Sequence, residues 1–209
     1  MSRIGLIDYG MGNLHSVARA IERLGGEVAL IQSGAAMQGC HALILPGVGA
    51  FDPAMQRLES SGLVEPILAW SDRSRPLLGI CLGLQLLFEA SDEGDARGLG
   101  LLKGRVRALP SQPDQPVPHM GWAPLIACRP TPLLPEGSPP AWVYFVHSYA
   151  AVPEQPACLA AAVAFGDTVV TAAVWQDHLA ACQFHPEKSG PQGQRMLRRW
   201  LTWVEREDR

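Results

Sequence analysis

Short apolar runs alternate with amphipathic stretches through the first half of the chain. Arg3–Asp8, Glu27–Ile31, His41–Leu45 and Pro76–Ile80 are rich in Ile, Leu and Val. They are too brief for buried helices, so each is predicted as a strand. Leu14, Val17, Ala18, Ile21 and Leu24 recur at helical spacing, with Asn13 placed to cap the helix and Gly25-Gly26 to end it. Helices are also predicted over Asp52–Glu59 and Val64–Ser71, and from Leu82 to about Ala90. Strands and helices in alternation imply βαβ units and a mostly parallel sheet.

The second half has a different pattern. Residues 110–140 are rich in proline and read as turns and loops. The strand-like runs Ala141–Phe145, Cys158–Phe165, Thr168–Trp175 and Leu179–Gln183 then follow closely enough to be antiparallel neighbours. After Ser189 and Gly190, with Pro191 near its first turn, a final helix is predicted. Met196, Leu197, Trp200, Leu201 and Val204 form its apolar stripe. No repeat or linker interrupts the pattern, so residues 1–209 are expected to form one α/β domain.

Composition narrows the function classes. The chain is 47% hydrophobic and 18% charged, with a net charge of −3. That fits a globular core and gives no basic face for nucleic acid or for a membrane surface. Ile4-Gly5-Leu6-Ile7 is too short for a secretory core. The cysteines Cys40, Cys81, Cys128, Cys158 and Cys182 are odd in number and include no C-x-x-C pair. A disulfide framework and a zinc site are therefore not expected, and a cytoplasmic location is.

The most informative run is Gly79-Ile80-Cys81-Leu82-Gly83, between a predicted buried strand and a predicted helix. Flanking glycines allow a sharp strand-to-helix turn that projects the side chain at its apex. A thiol there sits at a helix N-terminus, where the dipole and free N–H groups favour a thiolate. Gln183-Phe184-His185-Pro186-Glu187-Lys188 follows another apolar strand. His185 is the natural base for Cys81, and Glu187, in a segment kept extended by Pro186, can hold the far ring nitrogen. The loop Pro46-Gly47-Val48-Gly49-Ala50-Phe51 offers backbone N–H groups to an oxyanion. It lacks the Gly-Lys-Ser/Thr ending of a phosphate loop.

Gly79-Ile80-Cys81-Leu82-Gly83 with Gln85, together with His185-Pro186-Glu187, resembles the class I (triad) glutamine amidotransferases. Asp8-Tyr9-Gly10-Met11-Gly12-Asn13, Phe88-Glu89-Ala90-Ser91, His119-Met120-Gly121-Trp122 and Tyr144-Phe145-Val146-His147-Ser148-Tyr149 narrow the resemblance. With these runs the chain resembles the glutaminase subunits of imidazole glycerol phosphate synthases, nearly end to end. That family usually has asparagine where Ala123 stands.

The resemblance implies a flavodoxin-like α/β fold with helices on both faces of the sheet. It implies release of ammonia from glutamine through a Cys81 thioester, with no metal or cofactor, for use in histidine biosynthesis. Cys81, His185 and Glu187 would be catalytic. Gly47, Val48, Gly49, Leu82, Gln85, His147, Ser148 and Tyr149 would bind glutamine or the oxyanion. Asn13, Met120, Trp122, Tyr144 and Lys188 would face a (β/α)8-barrel cyclase that receives the ammonia and makes imidazole glycerol phosphate. Another amidotransferase of the same fold is a rival that the His119-Met120-Gly121-Trp122 run argues against, and outside that family two other readings of the same residues are a thiol peptidase and a redox sensor. The peptidase needs neither Gln85 nor the His147-Ser148-Tyr149 strand end, and the sensor has little use for His185-Pro186-Glu187.

Overall fold

The computed structural model describes residues 2–112, 115–127, 129–134 and 140–207; Cys128 lies outside them. In chain order the elements are β1 (Arg3–Ile7), α1 (Leu14–Arg23), β2 (Glu27–Ile31), β3 (Ala42–Gly47), α2 (Phe51–Ser60), α3 (Val64–Asp72), β4 (Leu77–Cys81) and α4 (Leu82–Leu86). They continue with β5 (Ala90–Ser91), β6 (Gly104–Ala108), β7 (His119–Pro124), β8 (Ile126–Ala127), β9 (Trp142–His147) and β10 (Tyr149–Pro153). The last are β11 (Leu159–Phe165), β12 (Thr168–Gln176), β13 (Leu179–Cys182) and α5 (Gly190–Glu207).

Among the described residues the central sheet runs β2-β1-β3-β4-β13-β12-β11-β8. The half from β2 to β13 is parallel, and β13, β12, β11 and β8 are antiparallel neighbours. The parallel half has the 2-1-3-4-5 order of flavodoxin-like folds, in which ligands bind beyond the carboxyl ends of the strands. Gly47 and Cys81 close β3 and β4 side by side, and His185 follows β13.

Apolar side chains cover both faces. Val17 and Ile21 of α1 and Leu197 and Trp200 of α5 pack on one face, against Ile4, Ile44, Leu78 and Ala180. Phe51 and Leu58 of α2, Ile67 of α3 and Leu84 of α4 pack on the other, against Leu43, Leu77 and Leu179. Asn13 does cap α1, its Oδ1 accepting from the Ser16 N–H at 3.3 Å.

Several expectations change. The run at Ala141–Phe145 forms β9, but β9 leaves the central sheet and pairs with β7 in a separate two-stranded ribbon. β7 itself lies in the proline-rich stretch read as loop. The helix after Cys81 stops at Leu86 and not near Ala90. The Glu89 N–H is taken by the Gly104 carbonyl and Ala90–Ser91 pair with β6, so the chain is drawn into a strand. Pro46 and Gly47, read as loop, are the last residues of β3.

Candidate active site

Cys81 sits where β4 turns directly into α4, with φ 56° and ψ −111°. That is the conformation of the first central residue of a type II′ turn, a position glycine normally takes. Close backbone contacts hold it there. A Cβ on Gly79 would lie 2.8 Å from the Gly83 carbonyl oxygen, and one on Gly83 only 1.8 Å from the Leu45 carbonyl oxygen. The two glycines let α4 press its first turn onto β4 and β3. The strained apex projects the thiol, and the Leu82 N–H lies at the start of α4, where helix N–H groups lack intrahelical acceptors.

His185 is anchored by main-chain and side-chain bonds. Its N–H donates to the Tyr144 carbonyl at 3.0 Å. The Ser189 hydroxyl donates to the His185 carbonyl at 2.6 Å and accepts from the Tyr144 N–H at 3.0 Å. Residues Pro186–Lys188 form a 3₁₀ turn, not the extended segment expected. The turn still delivers the acid: Glu187 Oε1 lies 2.8 Å from His185 Nδ1, with the two side chains 1% and 3% exposed. His185 Nε2 is buried without a hydrogen-bond partner among the described residues. Burial pulls the imidazole down, but Cys81 and Glu187 outweigh it and raise its pKa to about 9.

That shift has a stability consequence. A histidine raised above its unfolded value of about 6.5 stabilises the fold fully below that pH, and the gain is lost as pH rises through about 9. Glu187→Gln removes one source of the shift. The stability gap between the parent chain and Glu187→Gln, from urea titrations, is expected to narrow from pH 6 to pH 9.5.

A cavity of about 320 Å³ opens beside Cys81 and His185. Val48, Gly49, Leu82, Gln85, His147, Ser148 and Tyr149, which the resemblance implies would bind glutamine or the oxyanion, all line it. Gly47 does not. It lies behind the wall, where a Cβ would meet the Tyr9 hydroxyl at 2.7 Å. That hydroxyl donates to the Pro46 carbonyl at 3.0 Å and fixes the end of β3. Burial, and then Cys81, push the Tyr9 phenol far above its usual range, so it stays a donor.

Two expected ligands have much of their capacity already engaged. Gln85 Nε2 donates to the Tyr149 carbonyl at 3.0 Å and to Gln183 Oε1 at 3.1 Å, leaving Oε1 as its free atom. His147 has Nδ1 at 2.8 Å from the Tyr149 carbonyl and Nε2 at 3.2 Å from His119 Nδ1, so neither ring nitrogen is free. The sequence reading missed Glu93, which also lines the cavity. One of its oxygens accepts from the Phe51 N–H at 2.8 Å, tying its loop to α2. It lies in an ordinary polar stretch, with no sequence signal to mark it. Among the described residues no group of His, Cys, Asp and Glu could hold a metal ion.

The β7–β9 ribbon flanks the site. Met120 and Trp122 are 63% and 52% exposed, and Trp142 is 54% exposed. Trp122 pairs with Tyr144 across the ribbon, their ring centroids 6.1 Å apart. The β9 residues that alternate with Trp142, Tyr144 and Val146, namely Val143, Phe145 and His147, are buried. The outer face is thus apolar and open to solvent. Lys188 is exposed on the turn that carries Glu187, and α1, capped by Asn13, packs against that turn.

A family model described as glutamine amidotransferase class-I matches residues 5–203. The chain belongs to the class-I glutamine amidotransferase family. Relatives match it almost throughout. Imidazole glycerol phosphate synthase subunit HisH 2 of Parasynechococcus marenigrum (strain WH8102) is 59% identical over 203 residues, covering 97% of this chain and 96% of the relative. The subunit HisH of Synechococcus sp. (strain CC9902) is 57% identical over 201 residues, covering 96% and 94%. A crystal structure of a glutamine amidotransferase shares the fold at TM-score 0.75 and 20% identity, covering 97% of this chain and 98% of that one. In this amidotransferase chain no helix among the described residues is long and apolar enough to cross a membrane.

Proposed function

We propose that this chain is the glutaminase subunit of an imidazole glycerol phosphate synthase, acting in histidine biosynthesis in the cytoplasm. The observation that carries the chemistry is the bond between Glu187 and His185 Nδ1, with Nε2 left unpaired and the strained Cys81 beside it. Glutamine enters the cavity with its α-ammonium toward Gln85 Oε1 and the Glu93 carboxylate. The Cys81 thiolate attacks the amide carbon, and the backbone N–H groups of Val48 and Leu82 hold the oxyanion. Protonated His185 gives its proton to the departing nitrogen, and ammonia leaves a glutamyl thioester. Neutral His185 then takes a proton from water, which attacks the thioester. Collapse releases glutamate and restores the thiolate. Glu187 keeps Nδ1–H in place throughout.

The exposed ribbon face with Met120, Trp122 and Tyr144, joined by Lys188 and Asn13, supports docking of a (β/α)8-barrel cyclase that receives the ammonia. The test is glutamate release by the chain alone and with the cyclase and its ribulosyl ligand. A low rate that rises many-fold with the loaded cyclase supports both halves. Activity indifferent to the cyclase overturns the partner, and no glutamate under either condition overturns the reaction. Trp122→Glu places a charge on the apolar face. It is expected to weaken docking by roughly 2 kcal/mol, about thirtyfold in Kd, as measured by titration calorimetry.

A further inference from the structure

The Tyr149 carbonyl oxygen can only accept hydrogen bonds, and that fixes the direction of every polar group around it. On one arm, the Gln85 atom 3.0 Å away must be its amide nitrogen. The same nitrogen lies 3.1 Å from a Gln183 side-chain atom, which must then be the oxygen. The Gln183 nitrogen is left 3.8 Å from Cys81 Sγ, with its N–H directed at the sulfur. Gln183 is fully buried, so this amide is not shared with solvent.

On the other arm, His147 Nδ1 lies 2.8 Å from the same carbonyl and must carry the proton. In a neutral imidazole Nε2 is then the acceptor, so His119 Nδ1, at 3.2 Å, must be the donor. Burial holds both rings neutral, pushing His147 down to about 4 and His119 below its usual value. His119 is set in turn by stacking on Phe145, centroids 4.8 Å apart and planes 17° from parallel.

We propose that these bonds form one directed chain, in which Gln183 is a further catalytic residue that holds a donor on the Cys81 sulfur and His119 is a positioning residue at the far end. Gln183 favours the thiolate by hydrogen-bonding it directly. It also keeps the Gln85 amide turned with its oxygen to the cavity. His119 acts only through His147 and the Tyr149 carbonyl, which anchors Gln85. This deepens the glutaminase reading and rests on it only for turnover, because alkylation of the thiol needs no glutamine chemistry.

The test uses the full chain and iodoacetamide. The rate of Cys81 alkylation at neutral pH is followed by peptide mass spectrometry, beside kcat and KM for glutamate release. Gln183→Met keeps the volume and loses the donor, and is expected to slow alkylation about tenfold and to lower kcat, as losing a hydrogen bond to a charged group does. Should it fail to fold, Gln183→Asn, one methylene too short to reach the sulfur, carries the same expectation. His119→Phe keeps the stack but removes the donor, and is expected to slow alkylation several-fold. His119→Asn, whose amide N–H replaces Nδ1–H, restores it. The double variant His119→Phe with Gln183→Met is expected to be no slower than Gln183→Met alone, whereas independent sites would multiply their losses.

An unchanged alkylation rate in both Gln183 variants, equal behaviour of the two His119 variants, or multiplied losses would each overturn the chain. If the alkylation pattern holds but the parent chain releases no glutamate, either alone or with the loaded cyclase, the chain of bonds stands and the glutaminase reading falls. Glutamate release with alkylation indifferent to Gln183 gives the reverse.

Discussion

Cys81→Ala is expected to abolish glutamate release, by about 10⁴-fold or more, because no other group can form the thioester. The other free cysteines among the described residues, Cys40, Cys158 and Cys182, are buried, and burial raises each of their pKa values. At about pH 9.5, above the raised His185 pKa, stability should barely change, since alanine at φ 56° bears the same steric cost as cysteine; at lower pH the variant also loses the share of the His185 stabilisation that Cys81 supplies. Cys81→Gly separates function from folding more sharply. It is equally inactive, yet glycine adopts this backbone freely. Release of strain should outweigh the extra entropy of the unfolded chain, so Cys81→Gly is expected to be more stable by about 1 kcal/mol. In thermal unfolding this is a rise of roughly 2–4 °C. A Cys81→Gly variant less stable than Cys81→Ala would mean that the elbow holds no strain and that its odd dihedrals are relaxed by their surroundings.

This trade between stability and reactivity explains why the nucleophile was readable from sequence. Two glycines flanking a cysteine at a strand end have no use in an ordinary strand, and both are required here by backbone approaches that a Cβ would block. His185 and Glu187 were readable because proline between them rules out a regular helix, although the turn they adopt is 3₁₀. The strand β7 and its pairing with β9 were not readable, although β9 itself was. The ribbon's open face carries Met120, Trp122 and Trp142, so the strands lack the apolar-in, polar-out alternation that marks a half-buried pair. The end of α4 was missed because pairing of Ala90–Ser91 with β6 overrides local helix propensity. Gln183 was hidden for a different reason. It extends the apolar run of β13, and a buried amide shows its role only through what it touches, here Gln85 and the sulfur. His147 illustrates the same limit. The resemblance implies that it binds glutamine, yet its two ring nitrogens are already committed.

Gly83→Ala is expected to be the most destabilising single-methyl change near the site. The added carbon would stand 1.8 Å from the Leu45 carbonyl oxygen and 2.8 Å from its carbon, both main-chain atoms of β3. No side chain can rotate away to make room, so α4 must lift from the sheet. That breaks the packing of Leu82, Leu84 and Leu86, all buried against the core of that face. A forced main-chain shift in a close-packed interior costs about 3 kcal/mol or more. Urea titration of the variant is expected to show this loss, with soluble yield falling alongside. The damage should also reach the chemistry in whatever fraction folds. β3 ends at Gly47, beside Cys81, and leads into Val48 and Gly49 on the cavity wall. Moving α4 off β3 therefore separates the nucleophile and the Leu82 N–H from the Val48 N–H, the pair assigned to the oxyanion. The folded fraction should lose kcat by about a hundredfold, comparable to the loss of one oxyanion donor. Parent-like stability would mean that α4 does not press on Leu45 as closely as the elbow geometry requires. Parent-like turnover in a destabilised variant would separate the oxyanion loop from the elbow and remove Val48 from the mechanism.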